Sequence, residues 1–333
     1  MRICIYGLGA VGGFIGARLA AAGQQVSAIA RGGMLAAVAR SGLTLVEAPP
    51  APGGSAGRTI VPVRAVDDPA QLGPQDLVVV SVKTTGLAEV ARRIAPLIGP
   101  DTVVLTAMNG VPWWFFEGLD DGLAAREWPA IDPGRALAAA IPLDRVLGCV
   151  VHFACAVDQP GVVRHAQGRR LIIGEPKGGD SDRARRVAAL LAAAGFETEV
   201  SSRIQREVWF KLWGNMTINP VSAITGATAD RILDDPLVRG FISAVMLEAS
   251  AIGERIGLPI PITPEQRHQV TRQLGAFKTS MLQDVEAGKP VELDGLVAIV
   301  GEIGRAIGVA TPSIDTLFGL ARLHARTHGL YPP

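Results

Sequence analysis

The sequence predicts an α/β protein in which an N-terminal Rossmann-type parallel sheet with an antiparallel extension is followed by an all-helical C-terminal domain. Three observations support this fold class. A glycine-rich turn follows an apolar run at the start of the chain, and short apolar runs then alternate with alanine-rich periodic stretches as far as about residue 200. Beyond that point only long helical periodicities remain. We therefore expect one domain over residues 1–200 and a second, helical domain over residues 201–333.

The strands of the first domain are predicted from short apolar runs bounded by turn residues. The parallel set lies over residues 3–6, 25–30, 76–82 and 102–105, with a helix over residues 11–22 after the first strand. The third and fourth runs are continuously apolar, which is typical of strands buried on both faces. Three later runs, over 148–156, 161–165 and 171–174, follow one another closely and predict the antiparallel extension.

The second domain is predicted from four stretches with helical spacing of apolar residues. They cover residues 206–219, 236–256, 264–286 and 290–308. Pro290 marks a helix start and would place Glu292 in the first helical turn, where a carboxylate is favourable to the helix dipole.

The bulk composition indicates no nucleic-acid or membrane partner and no metal site. Lys and Arg (32) nearly balance Asp and Glu (31), and no run of like charges forms a basic arm or an acidic tail. No signal-peptide pattern and no uninterrupted apolar run of about 18 residues is present. Cys4, Cys149 and Cys155 form no CxxC pair and fit reduced thiols in a cytosol. We therefore expect a cytoplasmic protein.

The first turn matches the dinucleotide-binding fingerprint GxGxxG. It follows a strand and opens a helix, which is the context that this motif requires. The glycines permit a tight turn, a close approach of the backbone to a diphosphate, and close packing of helix on strand. The segment reads Gly7, Leu8, Gly9, Ala10, Val11, Gly12.

Three further polar positions follow predicted strands of the parallel sheet. Arg31 stands where an NAD enzyme usually places Asp or Glu, and arginine there favours the 2′-phosphate of NADP. Lys83 and Asn109 lie at the carboxyl ends of the next two strands, where ligands of such folds bind. The alternatives are an exposed arginine, a solvated lysine and a turn-forming Asn-Gly pair.

The densest signal is a polar row on the first helix of the second domain. Lys211, Asn215 and Asn219 are spaced four residues apart and share one face of a largely apolar helix. Buried polar groups are costly without partners, so the row favours binding of a polar molecule, with Lys211 suited to protonate a carbonyl oxygen. The alternative is a structural hydrogen-bond network between the domains.

Together these segments resemble the ketopantoate reductase (2-dehydropantoate 2-reductase) family, which has the 6-phosphogluconate dehydrogenase-like fold, over nearly the whole chain. The resemblance implies that Lys211 is the proton donor and that Glu292 is the second catalytic residue. It implies substrate binding by Asn109, Asn215, Asn219 and Ser280. It implies NADP(H) binding by Gly7, Leu8, Gly9, Ala10, Val11, Gly12, Arg31, Lys83, Asn109, Ala154 and Glu292.

The implied reaction is NADPH-dependent reduction of 2-dehydropantoate to (R)-pantoate, a step of pantothenate and coenzyme A biosynthesis. The alternatives are a related hydroxyacid dehydrogenase that acts on a different, bulkier 2-keto acid, a β-hydroxyacid dehydrogenase of the same fold group, and a non-catalytic NADP(H)-sensing regulator. The expected partner is a small 2-keto acid, and the oligomeric state is left open between a monomer and a homodimer.

The chain departs from the family pattern at an aromatic-rich insertion over residues 111–147. Its aromatic cluster comprises Trp113, Trp114, Phe115 and Phe116, directly after Asn109-Gly110. These side chains either pack inside the protein or at a dimer contact, or they form a wall of the substrate pocket. The choice between these alternatives bears on which keto acid is accepted.

Overall fold

The computed structural model describes residues 1–47, 57–119 and 122–332. Residues 48–56, 120–121 and 333, which fall within the predicted domains and within the insertion 111–147, lie outside the described residues. The chain forms two compact units. The first comprises Met1–Met108 and Arg135–Ile204, and the second comprises Asn109–Gly134 and Gln205–Pro333. The second unit thus includes a segment that precedes the predicted boundary at residue 200.

The first unit is built on a sheet that has ten strands within the described residues. These are β1 (Arg2–Tyr6), β2 (Gln25–Ile29), β3 (Leu43–Glu47), β4 (Gly57–Val61), β5 (Arg64–Val66), β6 (Leu77–Val80), β7 (Val103–Ala107), β8 (Val146–Gln159), β9 (Val162–Gly174) and β10 (Glu197–Val200). The spatial order is β4-β3-β9-β8-β7-β6-β1-β2-β5, and β10 also pairs with β9. The run from β8 through β5 is parallel, and β9 pairs antiparallel with β8. The predicted fold class is confirmed.

One expectation about the antiparallel extension was wrong. The predicted runs 161–165 and 171–174 form a single strand, β9, which begins at Val162, because the polar residues between them also pair with β8. Gly168 has a positive φ of 73°, and a Cβ there would lie 2.7 Å from the His152 oxygen. The register shifts along this stretch, as in a β-bulge, so the strand continues through a segment whose composition is typical of a turn.

Within the described residues of the first unit, five α-helices accompany the sheet. They are α1 (Ala10–Ala21), α2 (Gly32–Ser41), α3 (Leu87–Arg93), α4 (Ala136–Ala140) and α5 (Asp182–Ala193). The apolar core includes Ile3 and Ile5 of β1 together with Phe14 and Ile15 of α1, all fully buried. Burial raises the pKa of the Cys4 thiol to about 12, so this cysteine is an inert core residue.

The second unit consists of helices and connecting segments within its described residues. The helices are α6 (Ile204–Thr225), α7 (Ala229–Asp234), α8 (Pro236–Arg255), α9 (Pro264–Arg272), α10 (Ser280–Glu286), α11 (Ile299–Ile307) and α12 (Pro312–Thr327), and a π-helical turn spans Asp294–Ala298. The predicted helix over 264–286 is two helices, because Gly275 has a positive φ of 66° and Thr279 caps the start of α10.

The predicted position of Glu292 in a first helical turn was also wrong. The Val291 amide donates to the Leu330 carbonyl oxygen at 3.0 Å, which ties this stretch to the C-terminal segment. Residues 291–293 are therefore not helical, and the π-helical turn begins only at Asp294. Glu292 lies in the connection that precedes that turn.

Helix α8 has the length and mean hydropathy of a membrane-spanning helix. The sequence pattern predicted a helix here but no segment apolar enough to span a membrane. A core helix of a globular domain satisfies the same test. One side of α8 is buried, including Ile242, Val245, Met246 and Ile252, and the helix packs against α7, α9, α11 and α12. These contacts make α8 the central helix of the second unit.

Candidate active site

The glycine motif of the first unit has the geometry that a dinucleotide site requires. Gly7 has a positive φ of 101°, and a Cβ there would lie 2.6 Å from a methyl group of Val82. A Cβ on Gly12 would clash with the Gly7 oxygen, so this position needs glycine for packing. Gly9 is the N-cap of α1 and no side chain caps it, while a Cβ there would meet nothing within 4 Å. Open space thus faces the helix N-terminus, where a diphosphate fits.

A cavity of about 170 Å³ lies beside this motif at the ends of β1 and β2. Its lining comprises Tyr6, Gly7, Leu8, Ile29, Ala30, Arg31, Met34 and Val82. The structure therefore places the predicted cofactor arginine and the start of the glycine motif at one cavity.

Arg31 is part of a charged cluster that no sequence pattern predicts. Its guanidinium is 2.6 Å from the Glu89 carboxylate, and Arg93 also binds Glu89, at 3.2 Å. Burial by itself would raise the pKa of Glu89, but the hydrogen bonds and charges of Arg93 and Arg31 outweigh it and lower that pKa. Glu89 is therefore ionised and offers Arg31 an anionic partner.

Burial raises the pKa of the Tyr6 hydroxyl. The hydroxyl also lies close enough to this cluster for the charges of Arg93, Glu89 and Arg31 to act on that pKa. Its oxygen is buried and has no hydrogen-bond partner among the described residues. Glu89 and Arg93 read as ordinary surface charges of a helix in the sequence, so no pattern identified them.

Two further predicted cofactor residues of the first unit lie in or after a strand of the sheet. Lys83 follows β6 by three residues and is partly buried. Ala154 lies within β8, opposite Gln167 of β9, and is exposed. Both roles stay predictions.

The second unit brings Lys211 and Asn109 into direct contact. The Lys211 ammonium donates to the Asn109 side-chain oxygen at 2.8 Å, although 102 positions separate the two residues. The backbone that follows Asn109 is fixed in place, because the Val111 amide donates to the Gly295 oxygen at 2.8 Å. Gly110 between them has a positive φ of 83°, and a Cβ there would lie 2.5 Å from that oxygen.

Helix α6 presents the predicted polar row. Lys211 and Asn215 are partly buried, and Asn219 is 9% exposed. Buried tryptophans anchor the helix elsewhere on its circumference, and the Trp213 indole donates to the Met246 oxygen of α8 at 2.8 Å. The row is thus held by a rigid helix rather than by a loop.

Ser280 and Glu292 belong to the same unit as the polar row. Ser280 is the first residue of α10, and its neighbour Thr279 hydrogen-bonds Ser222 of α6 at 2.5 Å between the hydroxyl oxygens. Glu292 stands three residues before Gly295, the residue that contacts Gly110. The second unit therefore contains all the predicted substrate-binding residues and both predicted catalytic residues.

The aromatic cluster after Asn109 is buried inside the second unit. The exposed fractions are 9% for Trp113, 2% for Trp114, 0% for Phe115 and 2% for Phe116. The Phe116 ring stacks on Trp128 at 4.2 Å between centroids. These contacts match the packing alternative and not the dimer-contact alternative.

Phe116→Ala is expected to lower the free energy of unfolding by about 3–5 kcal/mol, because removal of a buried aromatic ring leaves a cavity in the core. Chemical denaturation monitored by circular dichroism measures this. Leu323→Ala is the control, since Leu323 is 61% exposed, and its change should stay within about 0.5 kcal/mol. A small effect for Phe116→Ala would contradict the packing role.

Two family models cover most of the chain. The model described as ketopantoate reductase PanE/ApbA matches residues 3–178. The model described as ketopantoate reductase PanE/ApbA C terminal matches residues 203–325.

Individual relatives agree with these matches. A protein of Mesorhizobium japonicum named 2-dehydropantoate 2-reductase is 42% identical over 332 residues, which are 99% of this chain and 100% of that protein. A solved structure from Ralstonia solanacearum MolK2, provisionally assigned as a ketopantoate reductase, is 57% identical with a TM-score of 0.92 over 99% of both chains. This chain is accordingly an oxidoreductase of a NAD(P)-dependent kind.

A more distant solved structure shares the fold alone. It is the ternary structure of D-mandelate dehydrogenase with NADH and anilino(oxo)acetate, which is 18% identical with a TM-score of 0.83 over 99% of this chain and 100% of that chain.

Proposed function

We propose, since the chain belongs to the ketopantoate reductase family, that it reduces 2-dehydropantoate to (R)-pantoate with NADPH. The observation that carries this proposal is the hydrogen bond between Lys211, the first residue of the α6 polar row, and Asn109. The Lys211 ammonium nitrogen lies 2.8 Å from the Asn109 side-chain oxygen. We place the reaction in the cytoplasm, where it would supply pantothenate and coenzyme A biosynthesis.

Lys211 is the proposed proton donor. When bound, the cofactor supplies a hydride to C2 of the keto acid. The carbonyl oxygen then gains negative charge, and the Lys211 ammonium stabilises that charge and transfers its proton to the oxygen. The lysine is left as a neutral amine, which regains a proton from water. The Asn109 oxygen accepts from Lys211 and so holds the ammonium in place.

The other predicted residues of the second unit have positioning and binding roles in this proposal. Asn215 and Asn219 present amide donors and acceptors from α6 to polar groups of the substrate. Ser280 adds a hydroxyl from the first turn of α10, and Glu292 orients the lysine or a substrate hydroxyl. Because helices α6 and α10 hold Asn215, Asn219 and Ser280, the substrate meets preorganised partners on these helices.

The first unit is proposed to hold NADPH. Gly7 to Gly12 would bind the diphosphate, Lys83 and Ala154 would lie beside the cofactor, and Arg31 would pair with the 2′-phosphate. The Glu89 carboxylate already pairs with Arg31, so the phosphate has to compete with it.

Glu89→Gln is expected to lower the dissociation constant for NADPH about fivefold, because the phosphate no longer competes with a carboxylate for Arg31. The dissociation constant for NADH should stay unchanged, because NADH lacks the 2′-phosphate that would pair with Arg31. Fluorescence titration of each cofactor measures both values. Glu199→Gln removes an exposed carboxylate that pairs with Arg170 in the same unit, and it should change neither value. Weaker or unchanged NADPH binding in Glu89→Gln would contradict this placement of the phosphate.

The test of the proposed function is a panel of branched and aromatic 2-keto acids assayed with NADPH and with NADH, and of 3-hydroxy acids assayed with NADP⁺ and with NAD⁺. We expect the highest kcat/KM for 2-dehydropantoate with NADPH. A preference for a bulkier keto acid would identify a related hydroxyacid dehydrogenase instead. Activity on 3-hydroxy acids would identify a β-hydroxyacid dehydrogenase, and no turnover at all would favour an NADP(H)-sensing regulator. The homodimer stays a prediction, which light scattering can test.

A further inference from the structure

A largely buried arginine of α9 lies against the helix that carries the polar row. The carbon at the centre of the Arg267 guanidinium is 5.7 Å from the centroid of the Phe210 ring. A Cβ on Gly214 would lie 2.7 Å from one terminal nitrogen of Arg267 and 2.8 Å from its Nε. The guanidinium therefore rests on the backbone of α6 at Gly214, where a side chain would exclude it.

Arg267 has no anionic partner within the described residues. Its Nε is buried and makes no hydrogen bond there, and burial lowers the pKa of the guanidinium. On the same helix, Arg272 lies 4.0 Å from Asp234 and 3.7 Å from Glu265 and donates to a backbone oxygen. A desolvated cation without an anion is unfavourable, so the site is suited to receive an anion from outside the protein.

The location of the guanidinium relates it to the proposed substrate site. Gly214 stands three residues after Lys211 and directly before Asn215, so Arg267 contacts the stretch of α6 that carries both polar side chains. A 2-keto acid bears its carboxylate on the carbon next to the carbonyl group. When the carbonyl oxygen meets the proton donor, the carboxylate therefore lies close by, where a cation would stabilise it.

We propose that Arg267 binds the carboxylate of the 2-keto acid, in a seat formed by its guanidinium above Gly214 and the Phe210 ring. The proposal rests on the function proposed above and adds to it the residue that recognises the acid group. A planar guanidinium matches a carboxylate through two parallel hydrogen bonds, which also fixes the orientation of the keto group toward Lys211. No pattern in the sequence indicates this role, because Arg267 is one of several charged residues along α9.

The kinetic test compares 3-methyl-2-oxobutanoate with its methyl ester, two substrates that cannot form a lactone. Arg267→Gln should lower kcat/KM for the acid at least about 30-fold, mainly through KM, and should change kcat/KM for the ester less than about threefold. Arg267→Lys keeps the charge and should recover part of the loss. Equal effects of Arg267→Gln on acid and ester, or no effect on either, would overturn the proposal.

A binding test separates this inference from the proposed activity. Oxamate, an uncharged-amide analogue of a 2-keto acid that retains the carboxylate, is titrated calorimetrically into the protein in the presence of NADP⁺. We expect its dissociation constant to rise at least about tenfold in Arg267→Gln and to stay unchanged in Arg272→Gln, a variant with the same charge change on the same helix. If the unmodified protein reduces no 2-keto acid, the proposed function fails, and the oxamate titration still decides the role of Arg267. Equal oxamate binding by the unmodified protein and Arg267→Gln, or no oxamate binding by either, overturns it.

Discussion

Lys211→Ala is expected to lower kcat/KM for 2-dehydropantoate by about three to four orders of magnitude. The substitution removes both the donated proton and a positive charge at the carbonyl oxygen, and each contributes about 10²-fold or more. The initial rate of NADPH oxidation at 340 nm measures the loss. Binding of NADPH should persist, because Lys211 belongs to the second unit and the glycine motif belongs to the first.

The control for Lys211→Ala is Lys278→Ala. Lys278 is exposed in the same unit and pairs with Glu286 at 2.6 Å, so the same charge is lost away from the polar row. Its turnover should stay within about twofold of the unmodified enzyme, as is usual for substitutions on the surface. If Lys211→Ala retained turnover within tenfold of the unmodified enzyme, Lys211 could not be the proton donor.

Gly110→Ala is expected to lower the free energy of unfolding by about 2–4 kcal/mol and to impair turnover with it. The left-handed backbone at φ 83° disfavours alanine, and the added methyl group would meet the Gly295 oxygen at 2.5 Å. Relief of that clash moves the backbone that holds Asn109 against Lys211. Urea denaturation and kcat, measured on the same preparation, report the two effects.

Gly275→Ala is the control for Gly110→Ala, because it introduces the strain of a positive φ without the steric clash. Gly275 has a φ of 66°, but a Cβ there would meet nothing within 4 Å. It should cost about 1 kcal/mol and leave kcat unchanged. Equal losses of stability and activity in the two variants would contradict the role assigned to the contact between Gly110 and Gly295.

The parallel sheet and the cofactor motif could be predicted from the sequence because each depends on local residues. Strand β6 is apolar throughout and β7 is apolar except for Thr106, and the predicted motif Gly7 to Gly12 covers the turn after β1 and the start of α1 in the structure. The polar row was predictable for a similar reason, since Lys211, Asn215 and Asn219 follow helical spacing on a helix that spans Ile204–Thr225.

The features that the sequence did not predict depend on contacts between distant segments. Strand β9 continues through polar residues because β8 pairs with them, and Glu292 lies outside a helix because Val291 bonds to Leu330. The pairing of Arg31 with Glu89 also joins segments far apart in the chain.

The environment of Arg267 is a second case of this kind. That no anionic partner of Arg267 lies within the described residues is a property of the folded second unit, so no local pattern in the sequence reveals it. Such interactions between distant residues are seen only when the folded structure is known.

The proposed reaction transfers a hydride from NADPH to C2 of 2-dehydropantoate. NADPH that carries deuterium at both C4 positions tests it directly, because the result does not depend on which hydride is transferred. Mass spectrometry and proton NMR of the product should show one deuterium, at C2 of pantoate, with one NADP⁺ formed for each pantoate. Pantoate without deuterium at C2, or no pantoate at all from enzyme that binds NADPH, would contradict the account.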